Sequence, residues 1–141
     1  MRALAVARFS LGLLCASSLL IGLTATLAPR SFYDDFPFLA HWVDLLPPYN
    51  EHLVTDVGGL YLGFAVLFAW AARTLDRPLV RAVSVAWLLT GTLHLIFHSR
   101  YLDAFSTPNA IAELASLALL LGAPVLALWA TRDPRPRPPR G

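Results

Sequence analysis

The chain has 141 residues, of which 57% are hydrophobic and 14% are charged, and its formal net charge is +2. Its basic residues are all arginines that flank long apolar stretches. Because this pattern is typical of membrane topology, we expect no nucleic-acid partner. The single cysteine, Cys15, excludes an intramolecular disulfide, a Cys-x-x-Cys redox pair and a thiolate metal cluster within one chain.

Four apolar stretches each approach the roughly 20 residues that a membrane-spanning helix requires. They predict helices over about residues 5–28, 51–72, 78–98 and 108–131, here called the first to fourth spans. We therefore predict one all-α domain, residues 1–131, that forms an integral membrane four-helix bundle. Alternating Arg and Pro at 132–141 predict a disordered cytoplasmic tail. A cleaved signal peptide is the alternative for the first span, although its uncharged run exceeds the usual apolar region of about 7 to 15 residues.

The first span contains small residues at near four-residue spacing, among them Ala16 and Gly22, which allow a second helix to approach closely. We expect this span to pack centrally. The connection that follows, residues 31–51, is rich in aromatic residues, which favour the headgroup layer of a membrane. It predicts an interfacial aromatic loop with one short helix, which is capped by Asp35 and ends near Leu46 before two prolines.

The second span carries a GxxxG step, Gly59 and Gly63, which supports close helix packing either within the chain or in a homodimer. The short turn at residues 73–77 predicts that the second and third spans are antiparallel neighbours. Asp76 in that turn is placed to cap the third span. Pro124 predicts a kink in the fourth span.

Arginines are distributed unequally between the two ends of the spans. If the N-terminus is cytoplasmic, the cytoplasmic side holds Arg2, Arg8, Arg73, Arg77, Arg81, Arg132, Arg135, Arg137 and Arg140, and the outer side holds Arg30 and Arg100. This bias predicts a multi-pass protein with both termini in the cytoplasm. The lysine-free composition, rich in Ala, Arg, Gly and Pro, favours a bacterial plasma membrane.

All four histidines then lie toward the outer side, together with most of the carboxylates. His94 and His98 are four residues apart and share one face of the third span, while Glu113 lies at a comparable depth on the fourth. His52 and Asp56 are again four residues apart, at the start of the second span. Ionisable groups inside a bilayer are costly and usually face the bundle interior. We therefore predict that these residues share one pocket and that His94 pairs with Glu113.

This set of side chains is compatible with four interpretations. Imidazole and carboxylate groups bind divalent metals such as Zn, Mn and non-haem Fe, although no HExxH or ExxH spacing is present. The same groups also form closed hydrogen-bonded networks with a purely structural role. Haem held by two histidines, for instance His52 and His98, is the less favoured cofactor. A desolvated Glu113 beside His94 is also the arrangement of a general acid and base pair.

Three further candidates lie in the aromatic loop. Asp34, Asp35 and His41 are placed where they would complete a cation site from above the pocket. The structural alternative for the two aspartates is to cap the short helix of the loop, and that is the interpretation we favour.

Several features together resemble a known group of proteins. Ala28-Pro29 follows the first span, Glu51 through Asp56-Val57-Gly58-Gly59-Leu60-Tyr61 opens the second, and a polar break lies late in the third. This pattern resembles the small four-helix bacterial membrane proteins of the DoxX-like group over nearly the whole chain. The resemblance implies a four-helix bundle and, for some members, association with membrane redox or stress systems. It carries over no catalytic residue.

The sequence thus predicts an outward-facing pocket that binds a metal or a small ligand, in a redox or stress-related membrane system. One alternative is a structural or accessory subunit in which the same residues close on one another. Another is a proton-coupled transporter that acts as a dimer. The expected partners are the lipid bilayer and either another membrane protein or a second copy of the chain. No reaction is indicated by the pattern, so an enzymatic role stays open.

Overall fold

The computed structural model describes residues 2–46 and 48–132, and this part of the chain is helical and contains no strands. The helices are α1 (Arg2–Leu27), α2 (Pro29–Asp35), α3 (Glu51–Thr74), α4 (Arg77–Ser99) and α5 (Thr107–Thr131), and a 3-10 turn covers Leu102–Ala104. The predicted tail beyond Arg132 lies outside the described residues, as does Pro47.

Four of the helices, α1, α3, α4 and α5, are long and apolar enough to cross a membrane, as the sequence predicts. Large apolar side chains are exposed on all four, including Phe9, Leu60, Leu89 and Ile111. Such side chains are costly in water and favourable against lipid chains. Together these features indicate a multi-pass membrane protein.

The bundle has two chemically different ends. At one end α1 and α4 finish while α3 and α5 begin, and this end, which carries His52 and His98, is called the histidine end below. The opposite end carries Arg2, Arg77 and Arg132 and is called the arginine end.

Helix α1 makes the most extensive contacts of the four long helices. It packs along α3 over much of its length and also contacts α5. Leu11 and Leu14 of α1 are fully buried in a core with Phe68 of α3 and Ala127 of α5. The other extensive helix contact is between α4 and α5.

The close approach of α1 and α3 depends on one glycine from each helix. A β-carbon on Gly22 would lie 2.9 Å from the side chain of Leu62. A β-carbon on Gly58 would overlap Oγ1 of Thr26 and would lie 2.9 Å from the backbone nitrogen of the same residue. A larger residue at Gly22 or Gly58 would therefore collide with the facing helix.

The predicted packing role of Gly59 and Gly63 is not observed within the chain. A β-carbon at either position would have no neighbouring atom within 4 Å. Successive residues of a helix point about 100° apart, so a helix that turns Gly58 toward α1 turns the following residue away from it.

Aromatic side chains hold α3 against α4 near the middle of the bundle. The rings of Tyr61, Phe64 and Phe68 meet the indole of Trp87 edge to face, with centroids 5.6, 5.2 and 5.2 Å away. The two helices run antiparallel through a short turn, as predicted, but their contact is much smaller than that between α1 and α3. Between this aromatic cluster and the histidine end they bound a cavity.

The short helix of the connecting segment lies earlier than predicted. Helix α2 begins at Pro29, where the fixed φ of proline suits a first helical turn. It ends at Asp35, because Pro37 disfavours helical backbone at the preceding residue, Phe36, which is extended. Residues 36–46 then form turns in place of the predicted helix.

The remaining helix boundaries follow local signals in the sequence. The carboxylate of Asp76 accepts the backbone N–H of Leu79 at 3.0 Å and caps α4, as predicted. The side chain of Asn50 caps α3 by accepting the N–H of Leu53 at 3.1 Å. Helix α5 continues through Pro124, which is buried.

Candidate ligand cavity

A cavity of about 810 Å³ lies within the bundle near the histidine end. It is bounded by α1, α3, α4 and α5 and is covered by side chains of α2 and of the segment that follows α2. Most of its lining is aliphatic or aromatic. The lining side chains that carry a polar atom are Ser17, Tyr33, Trp42, Asn50, Tyr61, His94, His98, Glu113 and Ser116. Its size and character fall in the range of small-molecule sites.

One acid and one imidazole meet on the cavity wall. Nδ1 of His98 lies 2.5 Å from Oε1 of Glu113. Both residues are buried, with 8% of His98 and 3% of Glu113 exposed. The two atoms are in contact but are not aligned for a hydrogen bond. This contact joins the last turn of α4 to the second turn of α5.

The second carboxylate oxygen of Glu113, Oε2, is the least satisfied atom of the pair. It is buried and has no hydrogen-bond partner among the described residues. A buried polar atom without a partner costs about 1–3 kcal/mol and therefore calls for an explanation. Glu113 is also one of the residues on the wall of the cavity.

Glu113 pairs with His98, one turn away from the partner predicted for it. The segment between α4 and α5 is folded inward at Phe105, which is buried, so α5 starts with Glu113 level with the end of α4. His94 instead packs its ring against that of His98, with centroids 4.3 Å apart. It is exposed and lines the cavity. All three residues therefore belong to one wall.

Helical spacing explains which side chains reach the cavity. On α5, Glu113, Ser116, Leu117 and Leu120 are three or four residues apart and share one face. The Ser116 hydroxyl donates to the backbone oxygen of Glu113 at 2.7 Å, so its hydrogen is already engaged. The Trp87 indole donates to the backbone oxygen of Leu120 at 3.0 Å and fixes the base of the cavity.

An arginine and two tyrosines organise the cover of the cavity. Nε of Arg30 donates to Oδ2 of Asp34 at 2.6 Å, and this hydrogen bond is the main reason that the pKa of the guanidinium is raised. The same guanidinium lies 5.0 Å from the ring centroid of Tyr49 and 5.9 Å from that of Tyr33. These contacts join α2 to the residues that lead into α3.

The turns that follow α2 hold left-handed backbone at three residues with side chains. The φ angles are 47° at Phe38, 67° at Leu39 and 58° at His41. This conformation is unfavourable for residues other than glycine, and bulky side chains adopt it rarely. Phe38 and Leu39 are also strongly exposed, at 88% and 72%. An exposed apolar tip of this kind is typical of a segment that meets a membrane interface.

His52 and Asp56 are not brought to the cavity. Nε2 of His52 lies 3.3 Å from Oδ2 of Asp56, and both side chains are largely exposed. On α3 the cavity is lined by Leu53, Val57 and Tyr61, so positions 52 and 56 point to a different face. The two residues form a separate pair at the helix start.

The loop candidates make local contacts in place of a shared site. Asp34 is engaged by Arg30, and Oδ2 of Asp35 accepts the hydroxyl of Ser31 at 2.9 Å. Nδ1 of His41 lies 2.5 Å from the backbone oxygen of Asp34. None of the three candidates, Asp34, Asp35 and His41, lines the cavity.

The positions of the site residues can be compared with what a metal ion and haem, the two cofactors considered from the sequence, require. Within residues 2–46 and 48–132, no group of three His, Cys, Asp or Glu side chains is arranged to hold a metal ion. His52 and His98, the pair considered for haem, do not share the cavity, because His52 lies on the exposed surface of α3.

Sequence reasoning missed Tyr61 and Ser17 as cavity residues. Tyr61 lies four residues after Val57, which itself lies three after Val54, and this spacing marks one face of α3. That signal was present in the sequence. Ser17 of α1 carried none, because a single serine in an apolar helix is ordinary.

No protein-family model, curated protein or solved structure matches this chain. The resemblance to the DoxX-like group therefore stays a prediction from the sequence.

Proposed function

We propose that this protein binds an apolar small molecule that carries one hydrogen-bond donor, and that the molecule occupies the cavity near the histidine end. The observation that supports this most is that Glu113, whose buried Oε2 has no hydrogen-bond partner among the described residues, lies on the wall of a largely apolar cavity of about 810 Å³. Pockets of this size with few polar groups among apolar ones are typical small-molecule sites.

The lining indicates what such a ligand needs. Its apolar body would be buried against side chains such as Phe32, Leu53 and Leu117, which contributes roughly 25 cal/mol for each Å² of apolar surface removed from water. Its hydroxyl or amine group would donate to Oε2 of Glu113. A hydrogen bond to a carboxylate is stronger than one between neutral groups, so this contact would orient the ligand.

The same features favour an organic ligand over a metal ion. A catalytic or structural metal site normally uses three or more protein ligands. In the described part of the chain no such group of three is arranged to hold one. His94 remains available to contact the ligand, because it is exposed and lines the cavity.

We also propose that the histidine end faces outward from a bacterial plasma membrane and that both termini are cytoplasmic. The support is the bias of arginine toward the opposite end, where Arg2, Arg73, Arg77 and Arg81 lie. The ligand would then reach the cavity from the outer leaflet or from the outer solvent.

The test is thermal unfolding of the detergent-purified protein with added probes. We would compare a sterol that has a free hydroxyl, the methyl ether of the same sterol, a quinone, its quinol and zinc chloride. A ligand present at 100 times its Kd stabilises the folded state by about 2.7 kcal/mol. We expect donor-bearing apolar probes to raise the melting temperature, and their donor-free counterparts to raise it less.

Two substitutions show whether the rise in melting temperature arises from binding in the cavity. Glu113→Gln removes the charge of the cavity carboxylate but keeps one acceptor oxygen, so it should reduce the advantage of the donor-bearing probe. Asp56→Asn is the matched control, since it also removes a carboxylate paired with a histidine but lies outside the cavity. If no probe shifts the wild-type melt while His98→Ala lowers it, the accessory-subunit interpretation replaces ours.

A further inference from the structure

The cavity near the histidine end has an open side between two of the long helices. The contacts of α1 with α3, of α1 with α5 and of α4 with α5 are all larger than the contact between α3 and α4. Helices α3 and α4 meet at the aromatic cluster around Trp87. Between this cluster and the histidine end, both helices line the cavity, and the space between them is called the α3–α4 gap below.

Apolar side chains form the edges of the α3–α4 gap. Val57 of α3 and Phe97 of α4 line the cavity and are at the same time exposed, at 41% and 38%. Leu60 and Leu93, each one residue before a lining residue, do not line the cavity and are exposed on the outer surface of the same helices. The half of α4 that borders the gap contains no carboxylate and no arginine. The edges of the gap therefore continue the apolar surface of the spans.

The α3–α4 gap lies at the depth of the lipid chains. At a rise of about 1.5 Å per residue, α3 and α4 are each about 35 Å long, and the hydrocarbon core of a bilayer is about 30 Å thick. The helix ends therefore project only a little beyond this core. Val57 lies roughly 9 Å from the start of α3, and Phe97 lies about 3 Å from the end of α4. The gap thus extends from the edge of the hydrocarbon core into it.

We propose that the ligand enters the cavity from the bilayer through the α3–α4 gap, and that it belongs to the class of molecules dissolved in the membrane. This inference rests on the proposed function, since it specifies the route and class of the same ligand. On the side of the outer solvent, α2 and the following turns partly cover the cavity, and Arg30 fastens this cover through Asp34 and the ring of Tyr49. At the gap an apolar molecule passes from lipid to the cavity along apolar edges without entering water.

The experiment measures uptake of a probe by full-length protein in which the α3–α4 gap is bridged. Val57→Cys/Phe97→Cys is made in a Cys15→Ala background, and its two thiols are joined by a short bis-maleimide. The protein is placed in vesicles that contain tritiated cholesterol or tritiated ubiquinol, and the probe retained after extraction in mild detergent is counted. Bridging before exposure to the probe should abolish most of the uptake that the unbridged variant shows. Bridging after exposure should slow release.

The matched control is Val66→Cys/Val85→Cys, bridged in the same way. These two exposed valines lie on the same helices, equally far from the turn that joins them, and do not line the cavity. This bridge should leave uptake unchanged, and an equal loss in both bridged proteins would overturn the inference. If the unbridged proteins retain neither probe, the proposed function fails and the inference fails with it. Uptake that the bridge across the gap leaves unchanged overturns the inference alone.

A second measurement needs no ligand and only one substitution in the same background. A fluorophore on Val57→Cys should be quenched by lipids that carry a nitroxide on the acyl chain and only weakly by aqueous iodide. A fluorophore on Asp44→Cys, an exposed position in the cover, should show the reverse order. Strong quenching by iodide at Val57→Cys would show that water fills the gap and would overturn the inference even where both probes bind. If the double variant fails to purify, this measurement decides.

Discussion

Some buried polar side chains of this protein have hydrogen-bond partners, and others have polar atoms without one. The indole of Trp87 donates to the backbone of α5 at 3.0 Å while its ring is packed by three aromatic neighbours. Glu113 is also buried, but one of its oxygens has no partner in the described part of the protein. The first arrangement is typical of a structural contact. The second is typical of a place where another molecule belongs.

At this scale we predict that Trp87→Phe weakens the bundle modestly. The substitution keeps an aromatic ring in the cluster but removes the donor to Leu120, and hydrogen bonds between membrane helices contribute about 0.6 kcal/mol on average and at most about 1.7 kcal/mol. The free energy of unfolding in mixed detergent micelles measures the loss.

Trp70→Phe is the control for this change, because Trp70 is an exposed indole on α3. It should alter the unfolding free energy by less than about 0.5 kcal/mol. Equal effects of the two substitutions would mean that the indole hydrogen bond does not matter.

The contacts between elements explain where the cavity lies. Helix α1 holds α3 closely through Gly22 and Gly58, and α4 is held mainly by α5. Helices α3 and α4 meet at the aromatic cluster around Trp87. The space between them toward the histidine end forms the cavity, which side chains of α2 and the following turns partly cover.

For the packing of α1 against α3, we predict that alanine at two adjacent glycines of α3 has opposite effects on stability. Gly58→Ala would place a methyl group 2.9 Å from the backbone of Thr26, which cannot move aside as a side chain can. Overpacking of this kind costs about 1–3 kcal/mol. Gly59→Ala meets nothing within 4 Å and should gain up to about 1 kcal/mol, because alanine favours a helix over glycine.

Thermal unfolding of the two variants beside the wild type checks this pair. A Gly58→Ala protein as stable as the wild type would contradict the close contact between α1 and α3. A marked loss in Gly59→Ala would instead show that this face of α3 is packed against another molecule.

The whole molecule is chemically polarised along the direction of its spans. Arginines gather at one end, while the histidines and the cavity lie toward the other. The proposed ligand site therefore lies at the end opposite to the one where most arginines gather. An unequal distribution of arginines of this kind is typical of membrane proteins, in which positive charge is retained on the cytoplasmic side.

The topology is tested by cysteine labelling in a Cys15→Ala background. An impermeant thiol reagent should label Asp44→Cys in intact cells, whereas Thr74→Cys should be labelled only after the membrane is permeabilised. Both positions are exposed in the structure, so access to the reagent depends on the side of the membrane. Labelling of Thr74→Cys from outside would reverse the orientation and move the cavity to the cytoplasmic side.

The site was only partly predictable from the sequence. Placing His94, His98 and Glu113 on one wall followed from helical spacing and from the cost of ionisable groups in a bilayer. The pairing of Glu113 with His98 did not follow, because it depends on how far the segment around Phe105 folds into the bundle. The exclusion of Asp56 depended on the rotation of α3, which its packing against α1 sets.

By itself the sequence determined the four spans and their unequal ends, since length, apolar composition and charge act locally on each segment. It also determined the cap at Asp76, which lies within one turn of its partner. Only the tertiary structure decided that Gly58 rather than Gly59 meets α1. It also decided that α2 begins the segment that covers the cavity, and that the cavity forms between α3 and α4. These outcomes depend on how helices are rotated and spaced against one another, and residues far apart in the chain set that jointly.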